Sequence, residues 1–307
     1  MPTIDLSAPP PPPSGLLDAL PRRVSLTLPE LRLVAERAGG APLPFDLTGS
    51  TGANPLDDRL GESRSVAEDS AYQTAVRSLH DPTATLTRRG LLGEDGPADG
   101  LAGAVGLLAT PTTALDIDVT AGGIRAKSWH RQAADAVATL STVDGIVFEL
   151  AWFPASQWAA ELGRVAVLPA ELDVHASEIP ALVEIPFELA DAATEAIRSG
   201  RDDLLPVLAA RHTGSVLDGR GPLGDPEVTA LLSALSHEAQ GRLRVLVANV
   251  ADGQPTVVGV VSWTLLADGW HALRPRQVSD VHHVVVSAVE PSDLATELAH
   301  VLAEVTT

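Results

Sequence analysis

One helical pattern occurs twice in this chain. Glu30 and Leu31, followed by Val34, Ala35 and Ala38, return as Glu188, Leu189, Ala192, Ala193 and Ala196, a constant offset of 158 residues. Apolar residues at this spacing share one face of a helix. The neighbouring sequence repeats in the same order. A helix predicted over 98–109, with Leu101, Ala104, Val105 and Leu108 on one side, is answered by one over 225–239 carrying Val228, Leu231, Leu232 and Leu235. The run Leu115–Val119 alternates apolar and polar residues, as a half-buried strand does, and is answered by Leu243–Val247. Ser128-Trp129 is matched with Ser262-Trp263, Ala134–Leu140 with Ala267–Leu273, Gly145–Leu150 with the strand around His282–Val289, and Pro154–Leu162 with Pro291–Leu298. Each match alone is weak. Their common order points to a diverged duplication, in which each half reads helices, a four-strand meander and a closing helix. The predicted class is α+β. An open sheet edge is a liability, so joining the half-sheets about a pseudo-twofold axis would bury one edge of each.

Local signals set expected boundaries. Pro9 to Pro13 run without interruption and favour extended polyproline II, so 1–22 reads as a disordered tail. The half-repeats are placed at 23–170 and 171–307. Thr27-Leu28-Pro29-Glu30 fits a capping box, and Gly39-Gly40 stops the helix it opens. Residues 48–70 are polar and turn-rich and read as a mobile surface loop. Helices are expected near 71–80 and 83–89. Ala121-Gly122-Gly123, Val143-Asp144-Gly145 and Asp252-Gly253 read as turns. Between them lie strands near 123–131, 134–140 and 145–152. Phe153-Pro154 opens a helix to about Leu162, and Arg164–Leu168 reads as one more strand.

Composition narrows the function. The 307 residues are 45% hydrophobic but only 3% aromatic, so the core is built from Leu, Val and Ala. The 40 acidic and 21 basic residues give a net charge of −19, with Lys127 the single lysine. That balance argues against nonspecific nucleic-acid binding, which needs net basic surface, and against an anionic membrane surface. No stretch reaches the roughly 18 apolar residues of a membrane span. The start, Met1-Pro2-Thr3-Ile4-Asp5, lacks the basic and apolar regions of a signal peptide. The expected location is the cytosol. Cysteine is absent, which excludes disulfides, thiolate metal sites and cysteine nucleophiles.

The sequence carries no phosphate-binding GxxxxGK[ST] loop, no dinucleotide GxGxxG between a strand and a helix, and no GxSxG elbow or HExxH helix. No cofactor or metal is expected. His282 and His283 are strand neighbours that point to opposite faces, one packed and one solvent-facing. Asp116 and Asp118 share a strand face. They are either a solvated pair or, in an alternative reading as a small-molecule-binding or hydrolytic protein, an acid–base pair. Asp57-Asp58, Glu68-Asp69 and Asp202-Asp203 read as solvated charge. Arg125, Lys127, Trp129 and Arg131 also share one strand face. Three cations flanking a tryptophan stand out in so acidic a chain, and Arg and Trp are common interface anchors. These four residues form the candidate partner-binding patch; the rival reading is a covered face with its cations paired to local Asp and Glu. Trp263 and Trp270 are expected in the core, and Trp152 and Trp158 are expected to pack the 154–162 helix onto the sheet.

Several segments in order resemble one family. Val24-Ser25-Leu26-Thr27 running into a helix and then Leu43-Pro44-Phe45 is similar to the N-terminus of the EspG proteins associated with ESX (type VII) secretion. Leu86-Thr87-Arg88-Arg89-Gly90-Leu91-Leu92, the acidic turn after it and the 98–109 helix resemble that family's next segment. The Ala114–Val119 strand with Gly122-Gly123 and the meander continue the likeness. It covers about 23–170 well and 171–307 more loosely; the proline-rich tail and the 48–70 insertion depart from it. The resemblance implies a central antiparallel β-sheet flanked by helical bundles in two pseudo-symmetric halves. It also implies a cytosolic, non-enzymatic actinobacterial chaperone that binds the helical tip of a PPE protein in a PE–PPE heterodimer. Such a chaperone would keep this substrate soluble and deliver it to the secretion machinery, acting as a monomer or homodimer.

Overall fold

The computed structural model describes residues 21–45, 80–250 and 256–305. The tail up to residue 20, the 48–70 stretch, the helix expected near 71–80 apart from His80, and the Asp252-Gly253 turn lie outside the described residues.

Strand β1 (Arg22–Thr27) runs directly into helix α1 (Leu28–Arg37). The junction is the expected capping box: the Thr27 hydroxyl accepts from the Glu30 amide, and Glu30 Oε2 accepts from the Thr27 amide at 2.8 Å. Two helix-terminal donors are thereby satisfied. Helix α2 (Pro82–Arg88) is capped by Asp81, whose side chain accepts from the Thr83 amide at 2.9 Å. The short hairpin β2 (Leu92–Gly93) and β3 (Gly96–Pro97) leads to α3 (Asp99–Ala109). Then come β4 (Thr113–Ala121), β5 (Ile124–Ala133), β6 (Ala136–Thr142) and β7 (Val147–Pro154), followed by α4 (Trp158–Val165).

The same succession recurs. Strand β8 (Leu182–Pro186) enters α5 (Phe187–Arg198), and α6 (Leu205–Arg211) follows. The hairpin β9 (Leu217–Asp218) and β10 (Gly221–Pro222) leads to α7 (Asp225–His237). The meander is β11 (Gly241–Asn249), β12 (Thr256–Leu266), β13 (Gly269–Val278) and β14 (Val281–Ala288), closed by α8 (Asp293–Val305). The strand order is β1-β7-β6-β5-β4-β11-β12-β13-β14-β8-β9-β10, with β2-β3 separate. When recurring elements are matched, β1 to β8 of this order reads alike from either end. The fold is thus α+β with a large antiparallel sheet.

By contacts the chain forms two compact units whose limits cut across strands. The first comprises Met1–Asp116, Ala126–Trp158 and Val247–Val258. In it, register sets Leu26 opposite Phe148, Leu140 opposite Leu150, and Trp129 opposite Leu140. These side chains form one sheet face. With Leu31 and Val34 of α1 and Leu101, Val105 and Leu108 of α3, they make a continuous core. Val250 N donates to Thr112 O at 2.9 Å where β11 meets β4.

The second unit comprises Ile117–Arg125, Ala159–Leu246 and Gly259–Thr307. Leu273 lies opposite Val286, and Val286 opposite Val183. This face packs with Leu189 and Ala193 of α5, Leu205 and Ala209 of α6, and Val228, Leu231 and Leu232 of α7. Trp263 of β12 donates its indole N–H to Glu297 of α8 at 2.9 Å, and its ring lies 6.2 Å from that of Trp270. Both indoles are buried, as their apolar sequence setting predicts.

Three expectations need correction. Residues 164–168 form no strand: α4 runs to Val165, and irregular chain follows. Trp152 does not pack the closing helix; it packs with the α1–α3 core, and a Cβ on Gly100 of α3 would lie 3.2 Å from its ring. Trp129 and Trp263 are not equivalent. Matching Leu140 with Leu273 sets Trp129 opposite Leu140 but Trp263 opposite Ala272, one residue out of step. A one-residue slip on a strand turns a side chain to the other face.

Candidate functional site

Strand β5 carries all four residues of the predicted partner-binding patch, and the structure separates them. Trp129 is only 8% exposed. Its ring lies 5.7 Å from that of Phe45, and it belongs to the core beneath α1 and α3. The Arg131 side chain is 7% exposed and ion-pairs with Asp116 at 2.8 Å. Its Nη1 also donates to Leu115 O at 3.0 Å and His130 O at 3.1 Å. A buried guanidinium so occupied is a strut between strands. These two residues are therefore corrected from surface anchors to structural ones. The period-2 reading placed them on one face correctly; it had no information on which helices cover that face.

Arg125 and Lys127 are exposed. In the second unit Arg125 Nη2 donates to Asp118 Oδ2 at 2.9 Å, with half of the arginine side chain open to solvent. An exposed pair of this kind contributes little to stability. Ile124, in the same hairpin arm, is a large apolar residue left exposed. The hairpin turns at Gly122 and Gly123, whose φ angles of 55° and 80° suit glycine.

Asp116 and Asp118 are each ion-paired, with Arg131 and Arg125 respectively. His282 is exposed and His283 largely buried, in line with opposite strand faces. Among the described residues, no three His, Asp or Glu side chains gather as a metal site, and no helix is long and apolar enough to cross a membrane.

Sequence reasoning missed a polar cluster on β8, β13 and β14. Glu184 Oε2 receives a hydrogen bond from Arg276 at 2.8 Å, and its Oε1 lies 3.1 Å from His283 Nδ1. Arg276 stands opposite His283 in the register. These residues are 92 positions or more from Glu184 in sequence, so only strand order could reveal the contact.

No family model matches the sequence, and no curated protein matches it. Solved structures do. One, of the Mycobacterium tuberculosis type VII secretion system chaperone EspG5 in complex with a PE25–PPE41 dimer, superposes with a TM-score of 0.60 at 12% identity. The match spans 92% of this chain and 96% of that one. The fold is EspG-like. At this identity the likeness is one of fold alone.

Proposed function

We propose that this chain is a cytoplasmic, non-enzymatic chaperone or adaptor for a helical type VII secretion substrate of the PE–PPE kind, built from half-repeats at 23–170 and 171–307. The observation that carries this reading is the EspG-like fold over 92% of the chain, matched to a chaperone solved in complex with a PE–PPE dimer. The chemistry is compatible. A secreted helical pair with an apolar tip self-associates unless covered. Covering it takes a broad surface with exchangeable polar contacts and no reactive group. The net charge of −19 favours the solubility of the chaperone itself.

Within the predicted patch, the proposed partner contacts are Arg125 and Lys127, because both are exposed; Trp129 and Arg131 act by holding the strand that presents them. The test is co-expression with a helical PE–PPE-type protein pair. The expected result is a soluble complex that survives gel filtration, with the tagged chain retaining its partner. Loss of that complex on Arg125→Ala/Lys127→Ala, with the melting temperature unchanged, would support the contact surface. Insoluble substrate in both the presence and absence of this chain would overturn the chaperone reading. Light scattering on the isolated chain distinguishes a monomer from a homodimer.

A further inference from the structure

In the second unit, the β12–β13 turn, the segment from β14 into α8, and the chain after α4 line an open cleft of about 350 Å³. This lies at the small end of the range for ligand pockets. Val167, Leu168, Trp270, Val289 and Pro291 give it apolar walls. Its ionisable lining residues are Asp268, His271, Glu290 and Asp293, with no arginine or lysine among them.

His271 is the informative residue. It is 1% exposed, and its Nε2 lies 2.8 Å from Asp268 Oδ1. A lone pair facing a carboxylate is repelled, so Nε2 carries the proton and donates to Asp268. In the neutral ring Nδ1 is then an acceptor, and it is buried without a hydrogen-bond partner. A buried polar atom left this way costs free energy that a ligand can recover. The carboxylates are also acceptors only when ionised. One oxygen of Asp293 is used by the Glu290 amide at 2.8 Å, and the Trp270 N–H by Ala166 O at 2.7 Å. The side chains therefore offer negative charge and acceptors, with apolar walls. In the matched positions of the first half, Asp135 stands for Asp268 but Ala138 for His271, so the histidine is particular to the second half.

We propose that this cleft binds an organic cation, a guanidinium or ammonium group on a short apolar stem. Such a group is all donor and complements every free polar side chain in the cleft, while its stem covers the apolar walls. The site is independent of the chaperone reading.

The test uses the full chain and ligand-observed NMR titration with two Nα-acetylated compounds, argininamide and its neutral isostere citrulline amide, and with agmatine and the peptide acetyl-Ala-Arg-Ala-amide. Saturable binding of the cations is expected, with citrulline amide weaker by at least about tenfold, since charge-assisted bonds are roughly twice as strong as neutral ones. Asp268→Asn should weaken argininamide binding by a similar factor. Glu290→Gln, at an exposed position, should weaken it less and covers the case in which Asp268→Asn fails to fold. Peptide bound as well as agmatine would assign the cation to a protein side chain; agmatine alone would assign it to a free small molecule. Either supports the site. No binding, equal binding of citrulline amide, or titrations unmoved by both variants would overturn it.

Discussion

Trp158 donates its indole N–H to Nδ1 of His130 at 2.9 Å. That bond fixes the tautomer: Nδ1 accepts, so the proton sits on Nε2, which is 3.0 Å from Ser128 Oγ. The first residue of α4 is thereby tied to the middle of β5. Trp158→Phe withdraws a donor from a buried ring nitrogen. The expected cost is about 1–3 kcal/mol, read as a lower urea midpoint with an unchanged slope. An unaltered midpoint would show that packing alone seats this helix.

The tryptophan and arginines of β5 separate folding from binding. Trp129→Ala removes a core indole and should cost about 3–5 kcal/mol. Arg131→Leu strands Asp116 and should cost about 2 kcal/mol, below the figure for fully buried pairs because Asp116 is partly solvated. Arg125→Ala opens a pair screened by water and should cost less than about 1 kcal/mol. Thermal melts of the three variants rank them. An Arg125→Ala variant as damaged as Trp129→Ala would refute the division drawn here.

Glu30 is expected to govern part of the acid stability. Burial pushes its carboxyl up, but bonds from the Thr27 amide and the Thr85 and Thr27 hydroxyls, with the charge of Arg89, outweigh it and hold the group below its ordinary value. A depressed folded value favours the native state above the unfolded value, roughly 4.3. That contribution is lost as pH falls from there through the folded value. Glu30→Gln should therefore destabilise the protein at pH 7 and flatten the decline in stability below about pH 4.3. Parallel curves for the two proteins across that window would exclude the mechanism.

Two glycines should respond differently to alanine. A Cβ on Gly241 would lie 2.2 Å from the Thr120 carbonyl oxygen, which belongs to the sheet backbone. A Cβ on Gly259 would lie 2.6 Å from Cγ1 of Val301, a side-chain atom on α8 and not sheet backbone. Gly241→Ala is expected to cost about 3 kcal/mol and Gly259→Ala about 1 kcal/mol, within the range for overpacking. Denaturant titration checks the order; its reversal would mean that β4 and β11 yield more readily than α8.

Some of this was local and therefore legible. The Thr27–Glu30 cap, the α1, α3, α5 and α7 faces and the meander strands follow from spacing and end signals within a few residues. So does the repeat, because matched elements recur in matched order. The Arg164–Leu168 strand was misread for the same reason: a short apolar run is ambiguous by itself, and the turn after α4 is set by what it packs on.

What the sequence determined by itself was the succession of elements and the alternation along each strand, since both depend on backbone geometry over short spans. Tertiary structure alone decided which face each strand presents to helices and which distant residues meet. Trp129 went inward because α1 and α3 pack over its stretch of β5. Glu184 met Arg276 and His283, and His271 was left with a bare nitrogen, because strand pairing and the turns around it join parts of the chain that no local pattern connects.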